Sequence, residues 1–322
     1  MTGAALCHLS VWLAADEVGD TVKLYDPGFR AAGRVTVTAI GVPQPPGRYR
    51  PPANASHTMP HTALGPEPQA WYVLLSVACA ALPGVGFDWV AFNADKGSAG
   101  FELINNTIRN HRARGMLIKA SDGVVAGNRI ENSTLGGIII TPELAWGEGD
   151  YVTNLTVTGN TVRNVCIGVQ CYGGLGLGAV GPSHTLVPAP GHTNVSVVRN
   201  RFANISQMNL WVSSAAGITL DGNVFADPYS YGPVATCCPP VPLPDPVSHP
   251  VVAFITETAR LTARANCVEA GPAGARTTAV NVTSTVIDSH TAGGFTNCTP
   301  GGRGGAGYDS SGLAAAAAEV PR

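Results

Sequence analysis

Between residues 96 and 292 the apolar positions fall in short runs that return with the same polar punctuation. Five segments align directly: Asn105-Asn106-Thr-Ile-Arg-Asn110, Gly127-Asn128-Arg-Ile-Glu-Asn132, Gly159-Asn160-Thr-Val-Arg-Asn164, Arg199-Asn200-Arg-Phe-Ala-Asn204 and Gly222-Asn223-Val-Phe-Ala-Asp227. A looser sixth copy is Ala265-Asn266-Cys-Val-Glu269. Successive ladder asparagines are 22, 32, 40, 23 and 43 residues apart, so the unit is about 22 residues and the longer steps carry insertions. Each unit holds three apolar runs. One precedes the asparagine, as in Val152–Thr158 and Asn194–Val198, and a two-residue run such as Thr107-Ile108 or Thr161-Val162 follows it. The third stands behind a glycine in Gly115-Met-Leu-Ile118, Gly137-Ile-Ile-Ile140 and Gly168-Val-Gln-Cys171, with Asn209-Leu-Trp-Val212 in the equivalent place.

Three short strands per repeat, with alternate side chains turned inward, predict an all-β fold: a right-handed parallel β-helix, in which rungs stack through parallel pairing. Asparagine tolerates left-handed backbone geometry, and its amide can bond both backbone and the equivalent asparagine one rung away. Asn106, Asn128, Asn160, Asn200, Asn223 and Asn266 are therefore expected to form a structural ladder at one corner. The insertions are expected after the third strand, at 141–151 and 171–193, and after the second strand at 227–250, stacked toward one corner where function would reside. Before the solenoid, alternating segments at Asp20–Tyr25, Arg34–Ile40 and Trp71–Leu75 predict a small β-module. The expected organisation is thus an N-terminal β-module with irregular first rungs at 1–95, the β-helix at 96–292, and a low-complexity, disordered tail at 293–322.

Composition narrows the function classes. Of 322 residues only 12% are charged, against about 25% in an ordinary domain, while 39 Gly and 25 Pro punctuate the chain. A net charge of -2 offers no basic surface of the kind nucleic acid requires, so no nucleic-acid partner is expected. The most apolar stretch, Tyr72 to Leu82, is 11 residues long, too short for a membrane span. Eight cysteines lack paired metal-ligand spacing, which favours disulfides or buried thiols over a zinc site, and no metal or cofactor is expected. Eight N-x-[ST] sequons suit a secreted, extracellular glycoprotein, although the turn positions of Asn132 and Asn204 suggest poor access there. Met1 to Ala15 has no signal-peptide pattern, so the chain is expected to be a fragment with its true N-terminus upstream.

The densest polar cluster is Glu143-Leu-Ala-Trp146-Gly-Glu148-Gly-Asp150-Tyr151. Aligning Gly115 with Gly137 sets Lys119 against Thr141 and Ser121 against Glu143, so Asp122 and Glu143 are expected at one corner about a rung apart. A parallel strand spacing is about 4.8 Å, and carboxylates one or two rungs apart would span the roughly 5 to 9.5 Å that glycoside hydrolysis uses. Asp122, Glu143, Glu148 and Asp150 are the candidate catalytic groups. Trp146, Tyr151 and Tyr172 are candidate sugar-stacking surfaces, and Arg112, Arg114 and Lys119 candidate hydroxyl or carboxylate ligands. The plainer readings are solvated turn carboxylates, and for the His111–Arg114 segment turn residues or an ion pair with Glu131.

These rungs resemble the pectate-lyase-like right-handed β-helix superfamily. The stretch Asn110–Asp122, followed by Gly136–Glu143 and Trp146–Gly149, is similar to the glycoside hydrolase family 110 α-galactosidases and to uncharacterised right-handed β-helix relatives. That resemblance implies release of terminal α-1,3-linked galactose with inversion, by carboxylates on neighbouring rungs and without a metal, the partner being an oligo- or polysaccharide. Two alternatives remain. A polysaccharide lyase or epimerase would use Arg112, Arg114 or Lys119 near a uronate, and a non-catalytic carbohydrate-binding or surface protein would need only the aromatic residues.

Overall fold

The computed structural model describes residues 6–12, 17–40, 72–78, 90–144, 149–168, 172–181, 186–188, 190–228, 230, 251–269, 279–283 and 295–298. Trp146, Glu148 and the tail from 299 onward lie outside the described residues. Contacts divide the chain into two units, one of Met1–Gly97 with Glu143–Asp150 and one of Ser98–Pro142 with Tyr151–Arg322. The segment from Glu143 to Asp150, which the repeat pattern left inside the solenoid, belongs to the first unit.

The first unit is a five-stranded antiparallel sheet with strands in the order 6–12, 72–78, 31–40, 21–25 and 90–93. Alternation along Thr21–Tyr25 and Arg34–Val37 buries Val22, Leu24, Val35 and Val37, while Arg34 and Thr36 are exposed. Tyr25 and Phe29 complete that core.

The second unit is a right-handed parallel β-helix of three sheets. The first sheet stacks strands 102–104, 123–126, 153–158, 192–198, 215–221 and 258–264. The second stacks 107–109, 129–131, 161–165, 201–205, 224–225, 266–268 and 295–297, and the third 116–118, 138–140, 175–177, 210–212, 251–256 and 279–283. The pairings within these sheets are parallel, and apart from a shift between strands 251–256 and 279–283 equivalent residues form columns; Ile130 lies between Ile108 and Val162, and Ile138 between Met116 and Leu175. Inward residues make one continuous core, within which Phe202, Phe225 and Phe295 stack at centroid spacings of 5.6 and 5.8 Å. The Cys267–Cys298 disulfide links the strand 266–268 to the residue following strand 295–297.

Left-handed residues turn the chain at three corners, with φ between 44° and 68°. One column is Asn105, Gly127, Gly159, Arg199, Gly222 and Ala265. The next is Asn110, Asn132, Asn164, Asn204 and Asp227, and the third is Asp122, Asn154, Asn194, Gly217 and Arg260. Only Gly, Asn and Asp adopt this geometry readily; elsewhere it costs roughly 1 to 2 kcal/mol per residue, as at Arg199 and Ala265. The left-handed geometry expected of the ladder asparagines falls instead on the residue before each of them. Asn132 and Asn204 are exposed at their corner, contrary to the poor access expected there, because αL turns direct the side chain outward from the core.

The ladder asparagines follow the first column. The Asn128 backbone N–H and Nδ2 donate to Asn160 Oδ1 at 2.8 and 2.9 Å, and those of Asn160 donate to Asn200 Oδ1 at 2.9 and 2.9 Å. The same pair of bonds joins Asn106 to Asn128, Asn200 to Asn223 and Asn223 to Asn266. From Asn128 onward the remaining Nδ2 proton reaches a carbonyl of a preceding rung, such as Asn160 to Val125 O at 2.8 Å, while that of Asn106 bonds Ile104 O on its own rung.

Glycine opens the third sheet. A Cβ on Gly137 would lie 2.4 Å from Gly174 O, and one on Gly115 would lie 2.7 Å from Gly137 O. That column locates the third-sheet strand of the long rung at Leu175–Leu177, behind Gly174; residues 169–171 of the expected Gly168–Cys171 run lie outside the described residues. Leu-Gly-Leu and Val-Gln-Cys each follow a glycine with two apolar side chains, so apolar content did not separate the two runs. The expected 171–193 insertion therefore divides into 166–174 before the third strand and 178–191 after it.

Replacing Asn160 by Ala removes the shared acceptor of the Asn128 N–H and Nδ2 groups and the side-chain donor to Val125 O, all in a buried corner. Orphaned buried groups cost about 1 to 3 kcal/mol each, so Asn160→Ala should lower the unfolding free energy by about 3 kcal/mol or more in urea titrations. Asn164→Ala, at the neighbouring exposed corner, should cost about 1 kcal/mol or less. Equal losses at the two sites would refute the structural weight given to the buried ladder.

Candidate functional site

The three sheets differ in what they turn outward. Along the third, Ile139 is fully buried and Trp211 and Phe254 nearly so, with Met208, Tyr172, Val180 and Leu186 packed around Trp211 and Phe254. Its apolar outer column is thus closed by the chain's own insertions. The first sheet presents Thr156, Ser196 and Thr219, all half-buried, and Thr262. The second sheet carries the long charged side chains: Thr107, Arg129, Thr161 and Arg201 form one outward column, and Arg109, Glu131 and Arg163 the other.

Glu131 is the centre of that face. The register sets Arg109 one rung before it and Arg163 one rung after it, with Arg129 two residues earlier on its own strand. Arg129 Nε and Arg163 Nε both hydrogen-bond Glu131 Oε1, the latter at 2.6 Å, while Arg109 Nε lies 3.6 Å from Oε2. The Glu131 side chain is only 7% exposed, but the arginines are 57%, 47% and 45% exposed in chain order. Burial pushes the Glu131 carboxyl pKa up, yet the hydrogen bonds and charges of Arg163 and Arg129 outweigh it and hold the group below the ordinary carboxylate range. Three guanidiniums therefore share one ionised carboxylate. Two rungs beyond Glu131, Arg201 and Glu269 form a two-pronged ion pair at 2.8 and 2.6 Å, so that arginine has its own counter-charge.

Of the candidate carboxylates, Asp122 belongs to the second unit and Glu143 and Asp150 to the first. Asp122 occupies the third corner column, exposed, where it accepts a 2.8 Å hydrogen bond from Asn154 Nδ2. The residue one rung along that column is Asn154, followed by Asn194, and not Glu143. Glu143 is half-buried with φ 48° in the first unit. Asp150, in the same unit, is buried and takes hydrogen bonds from Lys23 Nζ and Tyr25 Oη, one on each carboxylate oxygen. Glu148 and Trp146 lie outside the described residues.

The remaining described candidates all belong to the second unit. Tyr151 is buried edge-on against His192, at a centroid distance of 5.2 Å. Tyr172 stacks on the buried Trp211 at 5.5 Å. The Tyr151 ring is thus enclosed, while Tyr172 is half-buried with one face against Trp211. His192 is a structural histidine: its Nδ1 accepts the Val152 N–H at 3.0 Å, and its Nε2 lies 3.2 Å from Gly178 O. Arg112 is exposed, its carbonyl accepting a hydrogen bond from Thr134 Oγ1, and Arg114 and Lys119 are half-buried. Glu131 pairs with Arg109, Arg129 and Arg163, not with the His111–Arg114 segment considered from sequence. The signal for this cluster was present in Ile-Arg-Asn, Arg-Ile-Glu-Asn and Val-Arg-Asn, once the two flanks of each short strand are recognised as outward positions.

No group of three or more His, Cys, Asp or Glu side chains that could hold a metal ion occurs among the described residues. No helix among them is long and apolar enough to cross a membrane. No family model matches the chain, and no curated protein matches it. Among solved structures it is similar to the Dettilon tailspike protein, with 16% identity and a TM-score of 0.33. The alignment covers 63% of this chain and 38% of the tailspike chain. At that level the likeness carries no functional argument, and the fold stands on the strand register itself.

The Glu131 cluster has a pH signature. A carboxyl with a depressed folded-state pKa stabilises above its unfolded value of about 4.3 and loses that contribution as pH falls through the folded value. Glu131→Gln should therefore lower stability at pH 7, by about 1 to 2 kcal/mol given the half-exposed arginines. The gap from wild type should narrow below about pH 4. Urea unfolding at pH 7 and pH 3 measures this, and a pH-independent gap would contradict the ionised cluster.

Proposed function

We propose that this protein is a carbohydrate-binding β-helix that holds an extended glycan along the outer face of its second sheet. The observation that carries this reading is the open polar surface of four successive rungs, where Thr107, Arg109, Arg129, Arg163 and Arg201 are exposed and Thr161 half-buried. A rung advance of about 4.8 Å is close to the advance of one sugar residue in an extended chain, so repeating donors can meet repeating hydroxyl or acidic groups. Guanidiniums and threonine hydroxyls are suited to that task. The Cys267–Cys298 disulfide supports an oxidising, extracellular setting for such a protein. The exposed sequon asparagines Asn105, Asn132, Asn154, Asn194 and Asn204 support the same placement.

The narrower reading, an inverting α-galactosidase, rests on the sequence resemblance alone and needs a working pair from Asp122, Glu143, Glu148 and Asp150. If it holds, the protein releases galactose from α-1,3-linked oligosaccharides and Glu148→Gln loses that activity. Absence of release would remove this reading and leave carbohydrate binding in place.

Binding on the second face is tested by steric block. In affinity electrophoresis against a panel of neutral and acidic polysaccharides, the wild-type chain should be retarded by at least one. Thr161→Trp, in the middle of the face, should weaken that binding about tenfold, roughly 1.4 kcal/mol. Thr262→Trp, on the first sheet, should leave it unchanged. No retardation by any polysaccharide would overturn the proposal, and equal effects of the two variants would overturn its assignment to this face.

A further inference from the structure

We propose that Arg109, Arg129 and Arg163 form an oxyanion-binding site that selects glycans bearing carboxylate or sulfate groups. The proposal rests on the carbohydrate-binding reading and names the ligand class that this face would take. Its basis is a charge mismatch fixed by the fold. Glu131 is the sole acidic partner of the three guanidiniums among the described residues, and all three engage it through Nε. Their terminal Nη groups have no partner among those residues, and about half of each side chain is exposed. The cluster therefore carries two positive charges in excess and presents paired N–H donors to solvent, the arrangement that a planar carboxylate or a sulfate oxygen edge accepts two at a time.

The position of Glu131 determines what the cluster can do. Its carboxylate lies beneath the arginines with a 7% exposed side chain, so it orients their Nε edges without competing for a ligand from above. Parallel pairing places Arg109 and Arg163 on the rungs either side of Glu131, so they are two rungs, or about 9.6 Å, apart along the solenoid at the level of the backbone. That separation favours successive or alternate charged residues of a polymer over a single small anion. Arg201 does not extend the site, since Glu269 already neutralises it through both oxygens.

The test uses the full chain and three defined probes: polygalacturonate for carboxylates, dextran sulfate for sulfates, and neutral dextran. Arg109→Gln is the informative variant, because Arg109 makes the longest contact and its loss leaves Glu131 with two closer partners. Wild type should bind at least one acidic probe at least tenfold more tightly than dextran, and binding should weaken at 0.5 M NaCl as screening shortens the Debye length toward about 3 to 5 Å. Arg109→Gln should lose at least fivefold in affinity for that probe with an unchanged melting temperature. Arg264→Gln, whose arginine pairs with Asp221 on the first sheet, should lose none. The triple variant R129Q/E131Q/R163Q removes the cluster without leaving a bare carboxylate and should abolish the preference. Which acidic probe binds separates carboxylate from sulfate recognition. Binding of neutral glycans with no acidic preference, or an Arg109→Gln affinity equal to wild type, would overturn the anion site while leaving the carbohydrate reading intact. Failure to bind any polysaccharide would overturn both.

Discussion

Each corner of the solenoid must reverse the chain without leaving backbone groups dry and unbonded, and the rest of the structure depends on how that is met. Between the first two sheets a left-handed residue makes the bend, and the asparagine after it satisfies the exposed amides. Because one Oδ1 accepts both the backbone N–H and the Nδ2 of the asparagine on the preceding rung, the ladder fixes rungs to one another as well as turning each one. Buried amides of this kind are favourable only when fully satisfied. The ladder therefore tolerates insertions between rungs, such as the 32- and 40-residue steps around Asn160, but not a shift of register within them.

Register then decides the surface. Once corner residues align, outward side chains on neighbouring rungs become neighbours whatever their separation in sequence. Arg109, Glu131 and Arg163 meet for this reason, and Asp122 stands beside Asn154 for the same reason. The apolar outer residues Trp211 and Phe254 of the third sheet oblige the chain to cover them, and Tyr172, Val180 and Leu186 of the flanking insertions do so. Only the other two sheets keep outer faces that a polymer could follow.

Much of this was legible in the sequence. The Gly-Asn-x-φ-x-Asn repeat specifies a left-handed residue, a buried ladder position and a short strand in sequence order, which is why rung number and strand order could be read directly. The third strand of the long rung was less legible, because Val169-Gln-Cys171 and Leu175-Gly-Leu177 each follow a glycine with two apolar side chains and only the pairing register marks the latter as the strand. Carboxylate positions were the least legible. Glu143 and Asp150 sit in an insertion, where rung periodicity no longer sets position. Asp150 meets Lys23 and Tyr25 across more than a hundred residues, through contacts that no local spacing announces. The Glu131 cluster was hidden differently: its arginines alternate between the two flanks of successive strands, so no single alignment column shows them.

A stack of rungs is held one layer at a time, so its outermost layers fray before its middle does. The Cys267–Cys298 link spans 31 residues and, on a chain-entropy basis, restricts the unfolded ensemble by roughly 3 to 4 kcal/mol. It ties the last described strand, 295–297, to the rung before it, acting as a clasp on that side of the stack. Release of strand 295–297 from the stack would leave its end still tethered to strand 266–268. Reduction would remove that tether, making the redox state of one cystine a control on how readily this strand leaves its neighbour.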